Sequence, residues 1–213
     1  MDRAGTRPPN REEPGDPENA PEPGGPLLLP GDYTVRVILA ADTAQSSVRV
    51  LPDHRISFDI NTARAADRLN TRLLDAQRRT TDVADRIRSA RTTITRVGDL
   101  LDEWDGEEQE ADSLKEHGAR MDEALEGMYE SIVGESGQRR VNKPSVITSR
   151  LRSASSALSS GRWQEPTQTA LRALERVEQA VVELESAANQ WFETDWIEFR
   201  TAVEAFGLTL FGD

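Results

Sequence analysis

Between Asn61 and Trp104, alternating steps of four and three residues land on Thr62, Ala66, Leu69, Leu73, Ala76, Thr80, Val83, Ile87, Ala90, Ile94, Val97, Leu101 and Trp104. No step meets a charge, a proline or a glycine. That spacing is the seam of a helix packing in heptads, because a 3.5-residue repeat keeps one stripe facing its neighbour. At about 1.5 Å per residue the helix would be on the order of 65 Å long. A rod of that length outruns a small globular core and requires other helices laid along it. The stretch predicts a helical hairpin or bundle.

The rest of the chain supplies such helices. Asp59 or Asn61 can cap the first one, and Trp104-Asp105-Gly106 ends it, with glycine as a C-terminal cap. A second helix, about 108–133, carries Ala111, Leu114, Met121, Leu125, Met128 and Ile132 on the same spacing. Gly118 sits on that seam and marks either a weak point or a close helix crossing. A third, about 144–160, opens near Pro144 and carries Ile147, Leu151, Ala154 and Leu158. The last, about 166–206, starts at Pro166. Its seam runs Ala170, Leu174, Val177, Val181, Leu184, Ala188 and Trp191, then slips by one to Phe192, Trp196, Phe199, Val203 and Phe206. Such a slip reads as a local change of winding rather than a break.

Charge alternates helix by helix. Asn61–Val97 holds nine Arg against four Asp, and Gly98–Glu135 fourteen acids against Lys115 and Arg120. Pro144–Trp163 holds three Arg and no acid; Glu165–Phe206 holds nine acids against three Arg. Neighbouring helices therefore attract when folded back on one another, although each exposed pair contributes only about 0–1 kcal/mol. The expected fold is mainly α: an antiparallel three- to four-helix bundle with coiled-coil-like packing over residues 57–206.

Residues 1–29 are rich in proline and polar residues and read as disordered. Residues 30–53 read as a β-hairpin. Tyr33, Val35, Val37 and Leu39 alternate with Asp32, Thr34, Arg36 and Ile38, and Ala40–Gln45 forms a turn. Ser46–Leu51 then returns with Val48 and Val50 on one face. A lone hairpin is marginal in water, so it packs on the helices or its partner strands lie outside this chain.

The net charge of −12 argues against nucleic acid or an anionic membrane as the main partner. Absence of cysteine excludes disulfides, thiolate metal sites and a cysteine nucleophile. No apolar run is long enough for a membrane span, and the first thirty residues contain no apolar signal-peptide core. Taken literally, this is a cytoplasmic chain.

Pro30-Gly31-Asp32-Tyr33-Thr34-Val35-Arg36-Val37 resembles the "PGTYTVRL" strand near the C-terminus of bacterial sortilin-like β-propeller proteins, often labelled BNR-repeat or Asp-box glycosyl hydrolases. Val48-Arg49-Val50-Leu51-Pro52-Asp53-His54-Arg55 is similar to the family's "V-x-x-DPR" exit, with His54 where the family has proline. Pro144, Ile147, Leu151, Leu158, Gly161 and Pro166-Thr167 follow its pattern of a proline-started helix, a glycine turn and a "PT" restart. The resemblance covers nearly the whole chain. It implies a C-terminal region of a longer, exported protein: the end of an Ig-like sandwich plus a helical tail, with a propeller and sandwich upstream as partner. No propeller residue is present, so no catalytic role carries over.

The chemistry-bearing residues point the same way. His54 and His117, the only histidines, are separated by a whole helix and lack a third ligand. Gly134-Glu135-Ser136-Gly137-Gln138 misses the nucleophile-elbow spacing by one residue. There is neither a P-loop nor a dinucleotide fingerprint. The carboxylates lie on solvated helix faces rather than around a pocket. Asp99, Asp102, Glu103, Asp105, Glu107, Glu108, Glu110 and Asp112 form an acidic stretch able to attract calcium weakly. An EF-hand register there would put Leu101 at the first ligand position, so that loop fails. The Arg face of the first helix is expected to be neutralised by acidic helices rather than by RNA. No catalytic, cofactor or metal residue is expected. Most of the aromatic mass of the last third is expected to be core, and Trp163, Trp191, Phe192, Trp196 and Phe199 are the candidates for a partner-facing patch.

The expected function is a non-catalytic structural or interaction module. The alternatives are an accessory region of a glycan-cleaving exoprotein and a free-standing cytoplasmic coiled-coil homo-oligomer.

Overall fold

The computed structural model describes residues 28–55, 57–104, 108–134, 145–159 and 164–207. The order is β1 (Gly31–Leu39), β2 (Asp42–Val50), α1 (Ile60–Asp102), α2 (Glu108–Val133), α3 (Ile147–Ser159), α4 (Gln168–Glu193) and α5 (Asp195–Ala205).

Asp59 starts α1. Its carboxylate accepts from the backbone N–H groups of Asn61 (3.1 Å) and Thr62 (3.2 Å), two donors that a helix start otherwise leaves unpaired. These bonds, and first the hydroxyl of Thr62 at 2.7 Å, hold the Asp59 carboxyl below its ordinary pKa. Every seam position of α1 is buried except Thr62 and the half-exposed Trp104; Ala63, Thr81 and Ala84 are buried as well. The extra buried positions around Thr81 and Ala84 arise because α1 is packed on more than one side, against α2, α3 and α4. Thr80, on the seam and fully buried, donates its hydroxyl to the Ala76 carbonyl at 2.8 Å, so it leaves no orphan in the core.

Ion pairs fix the helix directions. Arg91 of α1 meets Asp122 and Glu126 of α2, and Lys115 meets Asp102 at 2.6 Å, so α2 runs antiparallel to α1 along its C-terminal half. α3 contacts α1, α2 and α4, and together α2 and α3 form one return path. Arg72 pairs with Glu178 and Arg79 with Glu185, both 106 positions apart, so α4 runs parallel to α1. Three rods result: α1 up, α2–α3 down, α4–α5 up. The antiparallel helical bundle is present, with its first and last rods parallel.

The last rod differs from the expected single helix. It is interrupted at Thr194 (φ −113°, ψ −79°), which separates α4 from α5. The backbone bonds Thr194 N–H to Gln190 C=O (3.1 Å) and Glu198 N–H to Thr194 C=O (3.0 Å) flank the interruption, so the rod continues in direction. The jog falls where the seam slips from Trp191 to Phe192, and both rings stay buried through it. Two starts also differ. α4 begins at Gln168, capped by the Thr167 hydroxyl accepting from Ala170 N–H at 3.2 Å, with Pro166 just outside the helix. α3 begins at Ile147, and Pro144 and Gly106 lie outside the described residues, as does the N-terminal segment before Leu28.

Gly118 of α2 lies where α1, α2 and α5 meet. A Cβ built there would stand 3.4 Å from Ile94 Cγ2 and 3.7 Å from Phe199 Cε2. The crossing is close, yet it leaves ordinary contact distance for one methyl group.

β1 and β2 pair antiparallel from Gly31↔Val50 to Leu39↔Asp42. The turn is shorter than expected: Ala40 and Ala41 alone connect the strands, and residues 42–45 belong to β2. Ala40 has φ 51°, the left-handed region that two-residue hairpin loops demand and alanine adopts at a cost.

Candidate functional site

The hairpin register puts Tyr33, Val35, Val37 and Leu39 on one face with Val48 and Val50, as their alternation predicts. No described helix covers that face. Val35, Val37, Leu39 and Val48 are all exposed, Val37 by 61% and Leu39 by 76%; Ile38 on the other face and Leu51 beyond β2 are exposed too. The described sheet has two strands only, so each strand keeps one unpaired edge. Apolar side chains standing in water beside free backbone donors and acceptors are the most unsatisfied surface of the described residues. Apart from Ile38 the opposite face is polar: Arg49 Nε donates to Asp32 Oδ1 at 2.6 Å across the strands, with both side chains in solvent. Tyr33 bends back over the residues that precede β1, donating its hydroxyl to the Leu29 carbonyl at 2.6 Å.

The aromatic candidates fall elsewhere. Trp191, Phe192 and Phe199 are buried, Phe199 completely, and Trp196 is half-buried. They pack on each other around the Thr194 jog: Trp191 edge-on to Phe192 at 4.9 Å, Trp196 at 6.1 Å from both, and Phe199 5.9 Å beyond. His117 meets Phe199 edge-on at 5.4 Å, and Trp104 caps Phe206 at 4.9 Å. Trp191, Phe192 and Phe199 are core, because the jog turns both seam registers inward, and Trp196 is only partly enclosed. Trp163 lies outside the described residues.

Arginines of α1 recur every seven residues on the side facing α4. Arg72 donates to Glu178 through Nε (2.8 Å) and Nη2 (2.6 Å). Arg79 holds Glu185 in the same fork, Nε to Oε1 at 2.8 Å. Arg86 closes the series, donating to Asn189 Oδ1 at 2.9 Å with its guanidinium 3.8 Å from the centre of the Phe192 ring. These forks raise the pKa of Arg72 and Arg79, the side-chain hydrogen bond being the first cause, and lower that of Glu185. Much of the basic face of α1 is thus neutralised within the chain.

A groove of about 660 Å³ runs between α3 and α4, lined by Ser149, Arg150, Arg152, Glu175, Arg176 and Glu183 among others. Its charges are of both signs and no nucleophile–base pair faces it. His54 sits in the bend after β2 and His117 in α2 beside α5, so the two histidines do not meet. Beyond Gly134, the near-miss elbow lies outside the described residues. No described helix is long and apolar enough to cross a membrane.

Fold and surface together define a class: a three-rod helical bundle that carries an uncovered β-hairpin at one end. No protein-family model, curated protein or solved structure matches the chain.

Proposed function

We propose that the chain is a non-catalytic interaction module, in which the bundle is a stiff arm and the hairpin is the element that docks on a partner. The observation that carries this reading is the contrast between the two parts. The bundle buries its own seams and neutralises many of its own arginines. Among the described residues, the hairpin's apolar face and both its edges are left uncovered. A hairpin gains independent stability from a third strand or a covering layer, and strand addition to a free edge is a recurrent mode of recognition. The resemblance to the tail of sortilin-like propeller proteins supports the same reading, since there the sheet that receives such a hairpin would be an Ig-like sandwich.

The test is site-specific photocrosslinking from position 37 in cells expressing the chain, beside the same probe on the outer face of α4. Crosslinks from the hairpin but not from α4, lost in the variant Val35→Thr with Val48→Thr, are expected. A hairpin that can be deleted with no change in any association overturns the proposal. So does glycan hydrolysis by this chain alone.

A further inference from the structure

β1 has charge at only two places, Asp32 and Arg36, on the polar face of the hairpin. Arg49 already reaches Asp32 at 2.6 Å, whereas Arg36 is exposed and has no hydrogen-bond or ion-pair partner among the described residues. Among the described residues, the outer edge of β1 is unpaired there as well.

Along a strand, successive residues aim their N–H and C=O groups at opposite edges. Two copies of one strand pairing antiparallel through the same edge therefore bring together only residues an even number apart. Asp32 and Arg36 are four apart. When Thr34 faces the partner's Thr34, Asp32 faces the partner's Arg36 and Arg36 faces the partner's Asp32. No other register of β1 on itself matches its charges. β2 has no such register, because Asp42 and Arg49 are seven apart.

We propose that the free edge of β1 is self-complementary and that its occupant is β1 of a second copy of this chain, giving a four-stranded sheet in the order β2, β1, partner β1, partner β2. This rests on the reading of the hairpin as the docking element. Each row of the sheet is consistent with the register observed within the hairpin. One polar row runs Arg49, Asp32, the partner's Arg36, the partner's Gln45, so each Asp32 carboxylate lies between two guanidinium groups. The central row runs Ser47, Thr34, the partner's Thr34, the partner's Ser47. On the other face, Val48 and Tyr33 meet the partner's Val35, an aromatic–β-branched pair. Gly31, with the Tyr33 ring 3.7 Å from where its Cβ would stand, faces the partner's Val37. Pro30, which has no N–H, ends the pairing next to Gly31, so residues 31–37 are the paired stretch.

Sedimentation equilibrium of the full chain tests this, with hydrogen exchange at residues 31–37 read in parallel. No hairpin residue belongs to the buried helical core, so hairpin variants should retain helical circular dichroism. A concentration-dependent dimer with protected β1 amides is expected. Arg36→Asp should weaken self-association on the order of tenfold or more, because like charges then stand opposite each other twice. Asp32→Arg combined with Arg49→Asp keeps the cross-strand pair but should weaken self-association similarly. Mixing these two variants restores opposite charges in both rows and should give a heterodimer. Monomer at every concentration overturns the second copy as occupant; a persisting crosslink from position 37 to another protein would then leave the docking reading standing. Loss of that crosslink too would remove both. A dimer indifferent to Arg36→Asp, or an unproductive mixture, also overturns the proposal.

Discussion

Arg79 of α1 and Glu185 of α4 are joined by a two-pronged hydrogen-bonded fork, 106 positions apart in the chain and with Nε 2.8 Å from Oε1. Arg72 and Glu178 repeat the fork one heptad earlier at the same separation. In heptad terms, arginine flanks the seam of one helix and glutamate flanks the seam of a parallel neighbour, the arrangement by which side positions set partner and orientation in coiled coils. The fork thus reports both the direction and the register of α4 along α1.

A double-mutant cycle of Arg79→Ala and Glu185→Ala, read by urea unfolding, should give a coupling of about 0.5–1 kcal/mol. Each side chain is roughly one-third exposed, which keeps the pair nearer a surface bridge than a buried one.

The hydrogen bond from Arg79 lowers the Glu185 pKa below its ordinary 4.5, with desolvation opposing. A lowered folded-state pKa contributes stability that is present above the unfolded value and lost as pH falls through the folded one. The stability difference between wild type and Glu185→Gln should therefore be constant near neutrality and shrink as pH falls below 4.5. A difference that grows on acidification would contradict the fork.

Gly118→Ala should stabilise the bundle by about 0.5–1 kcal/mol, since helix propensity improves and a methyl meets Ile94 at ordinary contact distance. Gly118→Leu should destabilise it by about 1–3 kcal/mol through overpacking against Ile94 and Phe199. Thermal unfolding of both variants separates a glycine required for closeness from one that merely weakens the helix.

Phe199→Ala should cost about 3–5 kcal/mol, the loss expected for a fully buried ring. Trp196→Ala, at a half-buried site in the same cluster, should cost less. Equal losses would mean that Trp196 is as enclosed as Phe199.

Ala40→Gly should favour the hairpin by about 1 kcal/mol, because φ 51° is costly for alanine and free for glycine. Slower amide exchange in residues 31–50, with no change in the midpoint of the helical transition, is the expected signature.

The helices were legible because their seams are local. Positions from Ala66 to Leu101 follow from the 3.6-residue turn and can be read without knowing what covers them. The alternation from Tyr33 to Leu39 likewise marked a strand with one apolar face. Capping was legible at Asp59, where a carboxylate precedes the seam, but not at Thr167, where Pro166 looked like the first helical residue. The burial of Trp191, Phe192 and Phe199 together was less legible, for a different reason. Trp191, Phe192 and Phe199 fit one helical stripe only if the seam slips, and sequence spacing does not say whether the slip opens the stripe or jogs the backbone. The jog at Thr194 turns both halves inward. The turn was legible at Ala40–Gln45 but its two-residue length was not, because nothing about alanine at position 40 advertises a positive φ.

Residue spacing alone specifies the elements: one helix too long for a small core, shorter helices able to flank it, and a hairpin with one greasy face. Those are consequences of backbone periodicity, which is fixed within a few residues. Packing sets which rods run parallel, where Gly118 meets Ile94 and Phe199, and that among the described residues the hairpin face stays uncovered while Trp191, Phe192 and Phe199 do not. Those depend on contacts such as Arg79 with Glu185, made between residues that periodicity places on a helix side but that only packing in three dimensions brings together.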